Sequence, residues 1–148
     1  EILIGLVGSE MCIRDRICYT AEKDKPISVN IAKHPQFISN EYIDGQGIFT
    51  FKNKITSIPE KAFFDCSKLD SIIIPESVTE IGNSVFTRCH YLKMVYCQST
   101  TPPTLGENAF SNISREAKIC VPKNSVALYK SANGWKDYAS KIVGCDFK

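Results

Sequence analysis

Apolar residues recur along this chain at a nearly fixed interval between positions 55 and 122. Ile58, Ala62, Phe63, Cys66, Leu69, Ile72 and Ile74 are answered, 23 residues later at every position, by Ile81, Val85, Phe86, Cys89, Leu92, Val95 and Cys97. A third copy is less complete: Leu105, Ala109, Phe110 and Ile113 follow at an offset of 24, and Ile119 and Val121 continue its second half. Phe49 and Phe51 stand 23 residues before Ile72 and Ile74, so about three and a half units are present. Within each unit the period changes. From Ile58 to Leu69 the steps of 4, 1, 3 and 3 predict a short helix or a run of helical turns. The pairs Ile72 and Ile74, Val95 and Cys97, and Ile119 and Val121 alternate and predict short strands, ended at Pro75 and Pro122. A 23-residue unit cannot bury such a face alone, whereas stacking aligns the strands into a parallel sheet and the Phe and Leu positions into one core.

The strings ITSIPEKAFFDCSKLDSIIIPESVTEIGNSVFTRCHYL and TPPTLGENAF closely resemble the BspA-like leucine-rich repeats of surface proteins from Bacteroidetes. YTAEKDKPI, FISNEYIDGQGIFTF and SVALYKSANGWKDYASKIVG are similar to the entry and exit segments of that architecture, so the resemblance covers roughly residues 17 to 148. It implies an α+β repeat solenoid: a short leucine-rich-repeat stack with one parallel sheet of short strands and terminal caps. It also implies a binding or adhesion module, not an enzyme, exported to the cell surface or the extracellular space.

Residues 1–16 fit nothing that follows. ILIGLVG lacks the basic lead and the cleavage site of a signal peptide, and GLVGSEMCIRDR resembles translated adapter sequence, so this stretch reads as non-native. The true start, and with it any membrane anchor or further repeats, would then lie upstream. Residues 17–47 are expected to form a β-rich cap, with ICYT and ISVNI as a hairpin around the charged EKDK turn. FISNEYI and IFTF follow as strands joined by a turn at Asp44, Gly45, Gln46 and Gly47. Residues 48–122 hold the repeats and 123–148 a second cap. There Val126, Tyr129, Ala132, Trp135, Tyr138, Ala139, Ile142 and Val143 predict two short helices or turns, and Trp135 is its largest buried group.

Composition narrows the function. With 43% hydrophobic residues and 18 basic against 16 acidic, a 148-residue chain can bury a core and carries little net charge. No basic stripe with interleaved aromatics appears in the chain, which argues against nucleic acid. No apolar run is long enough to span a membrane.

Seven cysteines leave at least one unpaired. Cys66 and Cys89 share a register and would lie on adjacent rungs, which permits a disulfide. The simpler reading is two buried thiols, because the same slot accepts Ile113. Cys97 falls on the inward side of its strand and Cys120 on the outward side. His34 and His90 have no partner at ligand spacing, so no metal or cofactor is expected. His90 follows Cys89, but adjacent side chains diverge, and the hydrolase, zincin and nucleotide motifs are absent. No catalytic residue is assigned.

Alternation turns Ser71, Ile73, Met94, Tyr96, Lys118 and Cys120 outward. Ile73, Met94 and Tyr96 would form an exposed apolar strip, with Lys118 beside it, able to meet a host, matrix or other cell-surface protein; the alternative is that the cap or the loops partly cover the strip and it binds nothing. The chain would act as a monomeric fragment of a larger protein. Two other roles fit the same residues: a stalk or spacer, and a carbohydrate-binding module or accessory domain of a surface hydrolase.

Overall fold

A computed structural model describes residues 16–27 and 29–147. The reading of the leader as non-native falls on residues outside these, Arg16 excepted. In chain order the strands are β1 (Ile17–Ala21), β2 (Phe37–Ile43), β3 (Gln46–Phe51), β4 (Ser57–Ile58), β5 (Leu69–Ile74), β6 (Glu80–Ile81), β7 (Met94–Cys97), β8 (Thr104–Leu105), β9 (Lys118–Pro122) and β10 (Ile142–Cys145). Among the described residues one α-helix, α1 (Val126–Ser131), and four 3-10 segments join them, at Glu22–Asp24, Asn30–Lys33, Lys123–Ser125 and Trp135–Lys141.

The repeats stack in register. Ile72 pairs with Val95, Val95 with Ile119, and Ile119 with Ile142 along the parallel strands β5, β7, β9 and β10. Behind them the rings of Phe63 and Phe86 lie 5.3 Å apart and 6° from parallel, and those of Phe86 and Phe110 lie 5.3 Å apart and 4° from parallel. These residues, with Leu69, Val85, Leu92 and Ala109, form one fully buried core. A second, three-stranded parallel sheet in the order β4-β6-β8 closes the other side of each rung.

The arc from Pro59 to Cys66 is a series of turns where helical spacing was expected. Its backbone enters the left-handed region twice per rung, at Lys61, Ser84 and Asn108 (φ 58°, 56° and 58°) and at Asp65, Arg88 and Asn112 (φ 57°, 65° and 60°). These reversals stop an α-helix from propagating and turn the amides toward the next rung. Lys61, Phe63 and Asp65 donate to the carbonyls of Asn83, Val85 and Thr87, and Ser84, Phe86 and Arg88 donate to those of Glu107, Ala109 and Ser111. The arc thus bonds between rungs as a strand would, while its 4, 1, 3, 3 spacing still faces the core.

The principal sheet is not all parallel as expected. It has seven strands in the order β10-β9-β7-β5-β1-β3-β2, and β1 runs antiparallel between β5 and β3. The expected hairpin of ICYT with ISVNI does not form. Ile27 instead donates its amide to the Tyr19 hydroxyl and accepts from the Asn40 amide, which leads the chain into the 3-10 turn at Asn30–Lys33. That turn closes the first rung: the Ile31 amide bonds the Ala62 carbonyl and the Asn30 side chain bonds the Lys61 carbonyl. Strands β2 and β3 do form a hairpin. Asp44 and Gly45 take positive φ (51° and 80°) at its tip, the two-residue turn that matches strand twist. Gly47 serves another purpose, since the Tyr19 ring lies against it and a Cβ there would come within 2.0 Å of that ring.

At the far end Trp135 is fully buried over the last rung, its ring nitrogen donating to the Pro103 carbonyl at 2.7 Å. Tyr138 covers Phe110 edge-on and its hydroxyl receives the Phe110 amide, which has no further rung to bond. Ile142 and Val143 depart from their expected helical spacing, because they lie in β10, which supplies backbone partners to the edge of β9. Among the described residues no helix is long and apolar enough to cross a membrane.

Candidate functional site

The outward side of the seven-stranded sheet carries a second apolar cluster, separate from the core. One register line crosses the sheet through Ile48, Cys18, Ile73, Tyr96, Cys120 and Val143, one residue from each of six successive strands. Of the strip expected to be exposed, Ile73 and Tyr96 lie in this line, while Met94 and Lys118 pair two residues away on β7 and β9, and the exposure expected of Ile73 and Tyr96 is not found. Ile73 and Tyr96 are each only 1% exposed, Met94 is half-buried and Lys118 alone is open to solvent. Alternation had placed all four on the correct face, but it carries no information about what lies over that face.

The cover visible among the described residues comes from the C-terminus. Phe147 meets the Tyr96 ring edge-on at 6.4 Å, and Cys145 is bonded to Cys120 in a disulfide across 25 residues. Lys123 and Asp146 pair at 2.8 Å on the exposed side of the same tail. Neither Cys145 nor Phe147 stood out in the sequence, because β10 was not foreseen and the partner of Cys120 therefore had no place. Cys18 is also held in a disulfide. Alongside the line, Ser71 is buried and its hydroxyl bonds that of Thr20. Gln46 is buried too, and neither polar atom of its side chain is hydrogen-bonded.

Cys66, Cys89 and Cys97 are free and buried. The Cys89 thiol donates to the Phe63 carbonyl at 3.0 Å. Burial pushes the Cys66 thiol up and carries those of Cys89 and Cys97 up to about 12, so at neutral pH they are protonated apolar groups. His90, adjacent in sequence, is exposed while Cys89 is buried, so the two do not form a nucleophile and base.

On the opposite edge of each rung, the three short strands border an open groove of about 420 Å³ lined by Glu60, Glu80, Asn83 and Thr104. Gly82 and Gly106 form its floor. A Cβ at either would come within 2.7 and 2.5 Å of the backbone nitrogens of Glu60 and Asn83, so the close rung spacing requires glycine there. Among the described residues no group of three or more His, Cys, Asp or Glu could hold a metal ion.

Similar rungs of 23 and 24 residues, each with one strand in the principal sheet and a stacked phenylalanine, define a protein of the leucine-rich-repeat class. Residues 41–133 match the family described as BspA type leucine rich repeat region (6 copies), and the chain belongs to that family. No curated protein matches the chain. Domains of this family are commonly surface or protein-interaction modules and are typically non-catalytic.

Proposed function

We propose that the chain is a non-catalytic binding module displayed on a cell surface. It would be a short solenoid within a larger exported protein of Bacteroidetes type, capped by residues 17–47 and 123–148, whose strand face adheres to a host, matrix or other cell-surface protein. The observation that carries this reading is the apolar line through Ile73 and Tyr96, which lies outside the core that holds the rungs together. A transverse row of apolar side chains on the outer side of the sheet, buried as the chain stands, would suit a docking surface once its cover is displaced. The disulfide between Cys120 and Cys145 supports export, because such bonds persist in oxidising compartments. Met94 and Lys118 are reachable as the chain stands, whereas contact with Ile73 or Tyr96 requires the face to be uncovered.

The test is binding to immobilised matrix proteins, with the full chain measured beside one beginning at Ile17. In whichever form binds, Tyr96→Ala should weaken capture by about tenfold, as for a buried aromatic anchor, and Met94→Ala by less. Unchanged capture by both variants, each with an unaltered far-ultraviolet spectrum, removes the strand face from the reading. The burial of Ile73 and Tyr96 favours a second reading, a spacer that presents another module. Absence of capture by either form would favour it.

A further inference from the structure

We propose a second binding surface, at the N-terminal ends of the parallel strands, that takes an anionic polysaccharide. Lys68, Tyr91 and Arg115 occupy one position of the repeat on three successive rungs and all three are exposed. The rungs are in contact at this edge, since the Lys93 amide bonds the Asp70 carbonyl and the Lys118 amide bonds the Lys93 carbonyl. Neighbouring rungs are spaced by roughly 5 Å, so the column sets a tyrosine between two cations within the reach of one extended ligand. Lys93 and Lys118 stand beside it and are exposed. The Lys141 ammonium, bonded to the carbonyls of Ser114 and Arg115, brings a further positive charge to the third rung.

The acidic groups of this edge do not cancel that charge. Arg88 is paired with Asp65 at 3.6 Å and drops out. Glu22 stands at the same edge, its amide bonding the Lys68 carbonyl. Glu22, Asp70 and Glu116 therefore remain against Lys68, Lys93, Arg115, Lys118 and Lys141. The carboxylates Glu60 and Glu80 border the groove on the other edge. A chain of net charge +2 thus has a cationic edge.

Tyr91 decides the class of ligand. At 64% it is the most exposed large apolar side chain among the described residues, and it packs into neither apolar cluster. An accessible ring face between cations offers stacking to a sugar ring while its sulfates or carboxylates meet Lys68 and Arg115. An acidic peptide would gain most from a pocket for a side chain, and the open groove lies on the other edge of the rungs. The chain read in order shows no basic stripe because the three residues are 23 and 24 positions apart. Folding assembles it.

Calorimetric titration of the full chain with a heparin octasaccharide tests the proposal. Binding is expected at low salt and should weaken as salt rises. Lys68→Ser combined with Arg115→Ser should weaken it by about tenfold, and Tyr91→Ala by about fivefold at every salt concentration. All three positions are exposed, and unchanged melting midpoints confirm that the variants fold. Failure of the full chain to bind heparin at low salt overturns the proposal, as does full binding by the charge variant. Equal affinity for polyglutamate or a single-stranded oligonucleotide, with Tyr91→Ala without effect, overturns the polysaccharide assignment.

Discussion

The two faces of the principal sheet are built by different rules. Toward the core, equivalent positions hold equivalent residues: Ile72, Val95, Ile119 and Ile142 in one line, and three stacked phenylalanines behind them. Toward the outside, the neighbouring line over the same four strands reads Ile73, Tyr96, Cys120 and Val143, as apolar as the first but with no residue type repeated among these four. Stacking explains the difference. A residue inside a rung packs against its own copies, so the geometry of one unit dictates the side chain of the next. A residue outside packs against something that does not repeat, here a C-terminal tail carrying Cys145 and Phe147. Periodicity therefore marks the surface that builds the fold, and its loss on an apolar line marks a surface that meets something else.

The comparison is most easily broken at the middle of the phenylalanine column. Phe86 is fully buried between two parallel rings, and Phe86→Ala should cost about 4 kcal/mol through lost burial and an unfilled cavity. Chemical denaturation should show a lower midpoint with an unchanged slope. A loss under about 1 kcal/mol would mean that the column does not carry the stack.

What could be read from the chain divides along the same line. Phe63, Phe86 and Phe110 were placed because their spacing repeats, and so were the inward position of Cys97 and the outward position of Cys120. Strand β1 could not be placed. Alternation in ICYT predicts a strand, but only long-range pairing sets it antiparallel between β3 and β5. ISVNI alternates equally well and is not a strand, because Ile27 is held by Tyr19 and Asn40 and Ile31 bonds the first rung. Ile142 and Val143 fit a helical spacing that the open edge of β9 overrode. For the candidate site, the direction of Ile73, Met94, Tyr96 and Lys118 was legible and the exposure of Ile73 and Tyr96 was not. Alternation is local, and cover is not.

The outer line can be tested through its disulfide. Cys120 and Cys145 close 25 residues of chain, and replacing both by alanine should cost about 3 kcal/mol, largely by releasing the unfolded chain. A reductant should lower the midpoint of the unmodified chain by at least as much and move the double variant by less, since only the disulfide of Cys18 is left to break there. Cys66, Cys89 and Cys97 should stay unreactive toward alkylating agents until unfolding, since their thiols are buried. If reduction had no effect, the outer line would not be held by its tail, and the contrast between a self-templated face and a covered one would lose its second half.

The smallest effect separates turns from helices, and its sign matters more than its size. Ser84 sits at φ 56° in the arc of the second rung, where an L-residue is strained and glycine is not. Ser84→Gly relieves that strain but loosens the unfolded chain, so the net change should be a gain of roughly 0.5 kcal/mol. Its amide bond to the Glu107 carbonyl is unaffected, because glycine keeps the donor. At Asn108, φ 58°, the same substitution should change little, because asparagine already tolerates the left-handed region. If the arc were the short helix that its spacing suggests, glycine at position 84 would instead destabilise by about 1 kcal/mol. A melting midpoint that rises for Ser84→Gly and stays level for Asn108→Gly supports an arc that bonds rung to rung. A fall in both would return the arc to a helix and leave the inter-rung ladder without its donors.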